Sequence, residues 1–254
     1  MPLTLPTHPI AVIPLLFWRP RWFDGVALVV GAISPDVAFA FAGYGITINS
    51  HAWHAVIWWT VPIALVSVRL IQWAAPTVAA HLPAGGVLAL DDYGAVGVFR
   101  HRWWITVSSA MLGAASHLVW DAFTHPAAFG GDVLFPALRG EAWPGMPWWY
   151  LLSLASDAFG FVAGGALIVY IGRRRLIRTW YGPAPAVQRR PALFWGAGAV
   201  VLAMGLATLP VQPMRHFPDQ SIRTMLAGCL ALLAGTAAVR WASRDQEMAT
   251  AQRY

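Results

Sequence analysis

The sequence predicts an all-α, polytopic membrane protein of about six transmembrane helices, preceded by a short N-terminal apolar segment. Three observations carry this. Of 254 residues, 58% are hydrophobic and 11% charged, with a mean hydropathy of +0.56, which lies well outside the range of soluble domains. Apolar runs at 26–42, 55–75, 103–123, 148–171, 192–210 and 222–242 each approach the ~20 residues a helix needs to cross a hydrocarbon layer of ~30 Å. Fourteen of the seventeen Arg fall in alternate connecting segments, and only Arg139, Arg215 and Arg223 fall in the others. This bias orients six spans with both termini cytoplasmic, in a plasma (inner) membrane.

The elements follow in order. Residues 8–18 are apolar but too short to span, which suits a re-entrant or interfacial segment. The 26–42 run is the weakest span, being short and broken by Ser34-Pro35-Asp36; Pro35 removes a backbone donor and lets a carboxylate face a cavity. The second span opens with His51-Ala-Trp-His54. The third carries the densest polar set, His117-Leu-Val-Trp-Asp121-Ala-Phe-Thr-His125, and the fourth contains Asp157. The last two spans hold no buried charge and read as scaffold. Residues 1–171 are therefore expected to form a helical membrane domain bearing the site, and 172–254 an Arg-rich cytoplasmic loop with two scaffold helices.

Composition also excludes classes of function. A single cysteine, Cys229, rules out an internal disulfide and Cys-rich zinc or redox chemistry. A net charge of +6 and a pI near 10.2 would suit nucleic acid, but all the basic residues are Arg placed between apolar runs, which is a topology signal; no nucleic-acid partner is expected. Residues 1–20 lack a basic n-region and a small-residue cleavage site, so the chain is expected to be mature as it stands.

An ionisable group at membrane depth is costly unless it is paired, solvated or bound to a metal. His117, Asp121 and His125 recur every four residues and so share one helix face, about 6 Å apart at each step and about 12 Å end to end. One ion can take either neighbouring pair. A straight helix does not bring all three to one ion, so either two ions share Asp121 or an outer histidine binds substrate or moves protons. The bland alternative is a polar stripe that hydrogen-bonds neighbouring helices. In the predicted topology Asp36, His51, His54, His117, Asp121 and His125 converge near the outer leaflet, with the 126–147 loop as a rim or lid. Asp157 suits an acceptor for a ligand histidine's ring N–H. Asp132 and Glu141 in the outer loop, and His81, Asp91, Asp92 and His101 in a cytoplasmic loop, read as solvated. His216 and Asp219 carry no expected role.

Leu5-Pro6-Thr7-His8-Pro9, Ser34-Pro35-Asp36, Ser50-His51 with His54, and Ser116-His117-Leu-Val-Trp-Asp121-Ala-Phe-Thr-His125 together resemble an uncharacterised family of multi-pass bacterial membrane proteins, a domain of unknown function. That family is in turn similar to inner-membrane metal-dependent hydrolases. The resemblance covers about residues 5–160. It implies a divalent cation, zinc ahead of manganese or iron, held by His8, Asp36, His51, His117 and Asp121, with His54 and His125 as further members of the set; in an enzyme, His125 or His54 is the expected proton carrier. This chain has Val37 after Asp36 where a second acid can follow, and His125 where the hydrolases tend to show Pro. The expected function is metal-dependent hydrolysis of a lipid or lipid-linked ester or phosphoester at the outer face. The alternative is a non-catalytic protein that handles metal ions or protons.

Overall fold

Helix covers most of residues 7–125, 135–213 and 216–251, the parts of the chain that the computed structural model describes. The order is α1 (Thr7–Val12), α2 (Pro14–Trp18), α3 (Gly25–Ile33), a 3₁₀ turn (Asp36–Phe41), a π turn (Val56–Thr60) running into α4 (Val61–His81), a second 3₁₀ stretch (Leu90–Gly97) and α5 (Trp103–Thr124). A small antiparallel hairpin, β1 (Glu141–Trp143) and β2 (Met146–Pro147), precedes α6 (Trp148–Arg173), α7 (Leu176–Tyr181), α8 (Pro191–Thr208) and α9 (Phe217–Ala251).

Among the described residues, four stretches are long and apolar enough to cross a membrane: Val56–His81, Trp148–Arg173, Pro191–Val211 and Phe217–Gln246. They match the second, fourth, fifth and sixth expected spans, as a multi-pass membrane protein requires. The other two do not meet the criterion, for physical reasons. α3 has nine residues, after which the chain tightens into 3₁₀ geometry from Asp36. α5 has the length, 22 residues, but its inward face carries Ser109, His117, Asp121 and Thr124, all buried.

The chain forms two compact units, Met1–Arg69 with Arg100–Tyr170, and Leu70–Phe99 with Ile171–Tyr254. In the first unit α3 and α5 lie against each other in parallel. At their starts the buried Asp24 caps α3, with Oδ1 accepting from the Val26 and Ala27 N–H groups at 3.1 Å, while Oδ2 accepts from Thr106 Oγ1 at 2.8 Å. The Asp24 N–H donates to Ser109 Oγ at 3.0 Å. Further along, Gly31 faces the Ala110 backbone and Gly113 faces that of Leu28 and Ala32, so close that a Cβ at either position would overlap main-chain atoms. Ala27, Ala64, Val68 and Ala110 complete the core there. α1 packs on α3 and α5, and Thr7 and Ile10 fill the space left by Gly160 and Gly164 of α6. Thr7 Oγ1 donates to the Ser156 carbonyl at 2.7 Å.

In the second unit, residues 70–99 pack with the C-terminal helices. His81 is buried, not solvated: its Nδ1 donates to the Thr77 carbonyl at 2.7 Å, its Nε2 accepts the Arg190 N–H at 2.8 Å, and its ring stacks on Phe194. With both nitrogens engaged, burial leaves no unmet polar group. Asp92 is buried as well, 3.1 Å from Arg175 Nη1. Asp91 is part-exposed and accepts the Gly85 N–H at 2.9 Å. That bond, helped by Arg175 and opposed by partial burial, holds its carboxyl below the usual 3.8. α8 and α9 form a close antiparallel pair, with Gly198 against the Ala231 carbonyl and Gly235 against Phe194. The expectation that these helices hold no buried charge does not stand: Arg223 of α9 is buried and donates to the Pro213 carbonyl at 2.7 Å.

Candidate functional site

Local structure explains how four segments of the first unit deliver one side chain each, or more, to a common point. α5 places His117 and Asp121 one turn apart on its buried face. The helix stops at His125, whose extended backbone (φ −130°, ψ 147°) turns its ring back toward the preceding turn while its N–H bonds the Asp121 carbonyl at 3.0 Å. α3 ends at Ser34-Pro35, so Asp36 begins the 3₁₀ turn at the end of α3 nearest His117. His51 comes from the turn ahead of the π stretch. His8 comes from α1, seated by the two glycines of α6.

His117 fixes the chemistry of the centre. Its Nδ1 lies 2.8 Å from the Ala32 carbonyl, and a carbonyl only accepts, so Nδ1 carries a proton. In the neutral ring Nε2 is then a bare lone pair. That lone pair faces Asp121 Oδ2 at 3.2 Å, His51 Nε2 at 3.3 Å and Asp36 Oδ1 at 3.6 Å. His51 Nε2 in turn lies 3.1 Å from Asp36 Oδ1 and 3.5 Å from Asp121 Oδ2. Two imidazole nitrogens and two carboxylate oxygens thus crowd one small volume, and acceptors held this close repel unless positive charge lies among them.

Each of the five separations is close to the spacing of two ligands on one zinc ion. Four ligands at 2.0–2.1 Å from a zinc ion stand ~3.3–3.4 Å from one another. The residues present therefore fit a divalent cation, and two overlapping triads, His51–His117–Asp121 and His8–Asp36–His117, each bring three ligand atoms within 4.8 Å of one another. A proton shared as an imidazolium is the other way to supply the charge.

The remaining members lie around this core. Asp121 Oδ1 points away from it, 3.4 Å from His8 Nε2 and 3.2 Å from His125 Nδ1. His8 is 1% exposed and stacks on His117 with centroids 3.9 Å apart. Among its described residues, His51, His125 and Asp36 have part-exposed side chains.

Not every expected residue joins. His54 is exposed and stacks on Trp58, its one ring contact among the described residues, because it points away from His51 on an irregular turn where i and i+3 do not share a helix face. Asp157 is half-buried on α6; the Ala32 carbonyl partners the His117 ring and Ser50 Oγ, at 3.0 Å, the His51 ring. Glu141 is exposed and accepts the Gly145 N–H in the hairpin turn. Asp132, with the rest of residues 126–134 of the loop expected to cover the site, lies outside the described residues. Sequence reasoning missed Ala32 and Ser50, the Asp24 clamp and the glycines that set the helix spacing. The paired small residues at Gly31 and Gly113 were the available signal.

A family model described as "Domain of unknown function (DUF4184)" matches residues 1–240. The chain belongs to the DUF4184 family. The match takes in every member of the His/Asp cluster. No curated protein and no solved structure matches the chain. For this DUF4184 member, as the family description assigns no activity, the functional argument rests on the cluster.

Proposed function

We propose that the cluster binds a divalent cation, zinc ahead of manganese or iron, and that the protein is a metal-dependent hydrolase acting on a lipid or lipid-linked ester or phosphoester. The observation that carries this is the crowding of Asp36 Oδ1, His51 Nε2, His117 Nε2 and Asp121 Oδ2, with five separations from 3.1 to 3.6 Å. Resemblance to the inner-membrane metal-dependent hydrolases supports the same reading. A cation held there supplies Lewis acidity, polarising a phosphoryl or acyl oxygen and acidifying water.

Hydrolysis requires an open coordination position. His51, His117 and Asp121 suffice as three ligands. Asp36, part-exposed and 3.1 Å from His51 Nε2, would then be the base that takes a proton from water. His125, part-exposed and 3.2 Å from Asp121, is suited to carry protons between the centre and solvent. The Ala32 carbonyl and Ser50 orient the two ligand rings, as partners of metal-bound histidines do. His8 backs His117 and keeps water from that side.

The topology we infer has six membrane crossings with both termini cytoplasmic in the inner membrane, the first crossing made by α3 and its 3₁₀ extension. The parallel run of α3 and α5 supports it, as does the Arg bias. The cluster then lies in the last third of a helix of about 33 Å, near the outer leaflet, where a lipid-linked substrate meets it. A second reading is a non-catalytic protein that handles protons or metal ions, favoured by the four imidazoles grouped around Asp121.

Metal analysis of detergent-purified protein separates these. We expect stoichiometric metal in the wild type and its loss in both His117→Ala and Asp121→Ala. Metal-free protein that stays folded and unchanged by added zinc would overturn the cation. Metal without turnover of lipid phosphoesters or esters would favour the second reading.

A further inference from the structure

The opposite end of the α3–α5 pair carries a different surface. The Asp24 clamp holds the start of α3 against the first turns of α5, so the segments leading into both helices emerge together. Arg19, just ahead of Asp24, lies 5.8 Å from the Trp18 ring centroid and 5.9 Å from that of Trp22. Arg102 lies 5.0 Å from the Trp104 ring. These three arginines, Arg19, Arg21 and Arg102, are exposed, as are their tryptophan neighbours at 47–70%.

Nothing at this end neutralises them. Among the described residues no carboxylate pairs with Arg19, Arg21 or Arg102, and the one acid nearby, Asp24, is buried with both oxygens spent on the helix cap and Thr106. The first amides of α5 add to the positive field, since no side chain caps them. Exposed guanidinium groups lying over indole rings suit one environment, the headgroup level of a bilayer. There indole rings partition and phosphate oxygens accept from guanidinium.

We propose that this Arg/Trp collar is a docking surface for anionic phospholipid headgroups, which fixes the near ends of α3 and α5 at the leaflet opposite the His/Asp cluster. The lipid phosphodiester accepts hydrogen bonds from the guanidinium groups while its acyl chains run alongside the exposed indoles. The collar uses none of the cluster's residues, so failure of the cation proposal leaves this one standing, and the reverse.

The test uses full-length protein in detergent, titrated with dioleoyl phosphatidylglycerol or dioleoyl phosphatidylcholine and read by native mass spectrometry. The wild type is expected to bind the anionic lipid at least about tenfold more tightly, and Arg21→Gln alone to lose about fivefold of that preference. The triple Arg19→Gln, Arg21→Gln, Arg102→Gln variant is expected to lose the preference, and the matching triple Lys variant to keep most of it. Inorganic phosphate at equal concentration should not displace the lipid. The proposal is overturned if the triple Gln variant keeps the preference, if the triple Lys variant loses it, or if phosphate displaces the lipid, which would mark a site for a free anion.

Discussion

Gly113→Ala is a one-carbon change that tests whether backbone contact between α3 and α5 builds the site. A Cβ at Gly113 would lie 2.8 Å from the Ala32 nitrogen and 3.1 Å from the Gly31 carbonyl carbon, and closer still to the Leu28 oxygen. Relaxed contacts need about 3.5 Å, so α3 must withdraw by roughly 0.7 Å. The same displacement stretches the 2.8 Å contact between His117 Nδ1 and the Ala32 carbonyl to about 3.5 Å, outside hydrogen-bond range. Overpacking costs about 1–3 kcal/mol and the lost bond about 1 kcal/mol more, against a gain of about 0.5–1 kcal/mol from replacing a helical glycine. A net loss of roughly 1–3 kcal/mol corresponds to a fall in melting temperature of about 2–12 °C for a chain of this size. Gly165→Ala is the control, since a Cβ there meets nothing within 4 Å and only the glycine gain applies. Thermal unfolding of the detergent-solubilised proteins, with and without added zinc, provides the comparison. The two variants should melt apart, and the zinc-induced rise should shrink in Gly113→Ala alone. Equal melting of both would refute the reasoning.

The other expectations follow from the same geometry. Asp121→Asn should abolish stoichiometric zinc binding while Asp36→Asn retains most of it and loses turnover; metal content and lipid-ester hydrolysis read together decide this, and equal loss of metal in both would remove Asp36 from the role of base. His54→Ala should bind zinc like the wild type, whereas His51→Ala should bind it at least about tenfold more weakly in a competition titration. The Asp91 carboxyl is held below 3.8 in the folded state, so its stabilisation is present above the unfolded value and is lost as pH falls through the folded one. The stability gap between wild type and Asp91→Asn should therefore be constant near neutrality and close below about pH 4, which chemical denaturation across pH would show.

Much of the site was legible because its chemistry is written in residue type. Histidine and aspartate in apolar runs stand out, and Asp36, His51, His117 and Asp121 meet as the alternating topology predicts. His8 needed a re-entrant N-terminal segment, and the seat for it, Gly160 and Gly164, could not be read from α1 itself. His54 failed because the i, i+3 rule assumes a helix, and residues 51–54 form an irregular turn. Six spans were expected from hydropathy, yet among the described residues four stretches are long and apolar enough. Of the other two, α3 is apolar but stops after nine residues, and α5 is lined with polar groups, since a helix that carries the site is less apolar than one that faces lipid. His81 and Asp92 read as solvated because single-residue polarity says nothing about partners such as Arg190 and Arg175, far along the chain.

X-ray absorption at the zinc edge, on protein loaded to one equivalent, tests the cation most directly. Two imidazole nitrogens at ~2.0–2.1 Å with one or two carboxylate oxygens at ~2.0–2.2 Å, all lost in His117→Ala, is the predicted result. Zinc that stays bound in His117→Ala, or a wild type that takes up none, would contradict it.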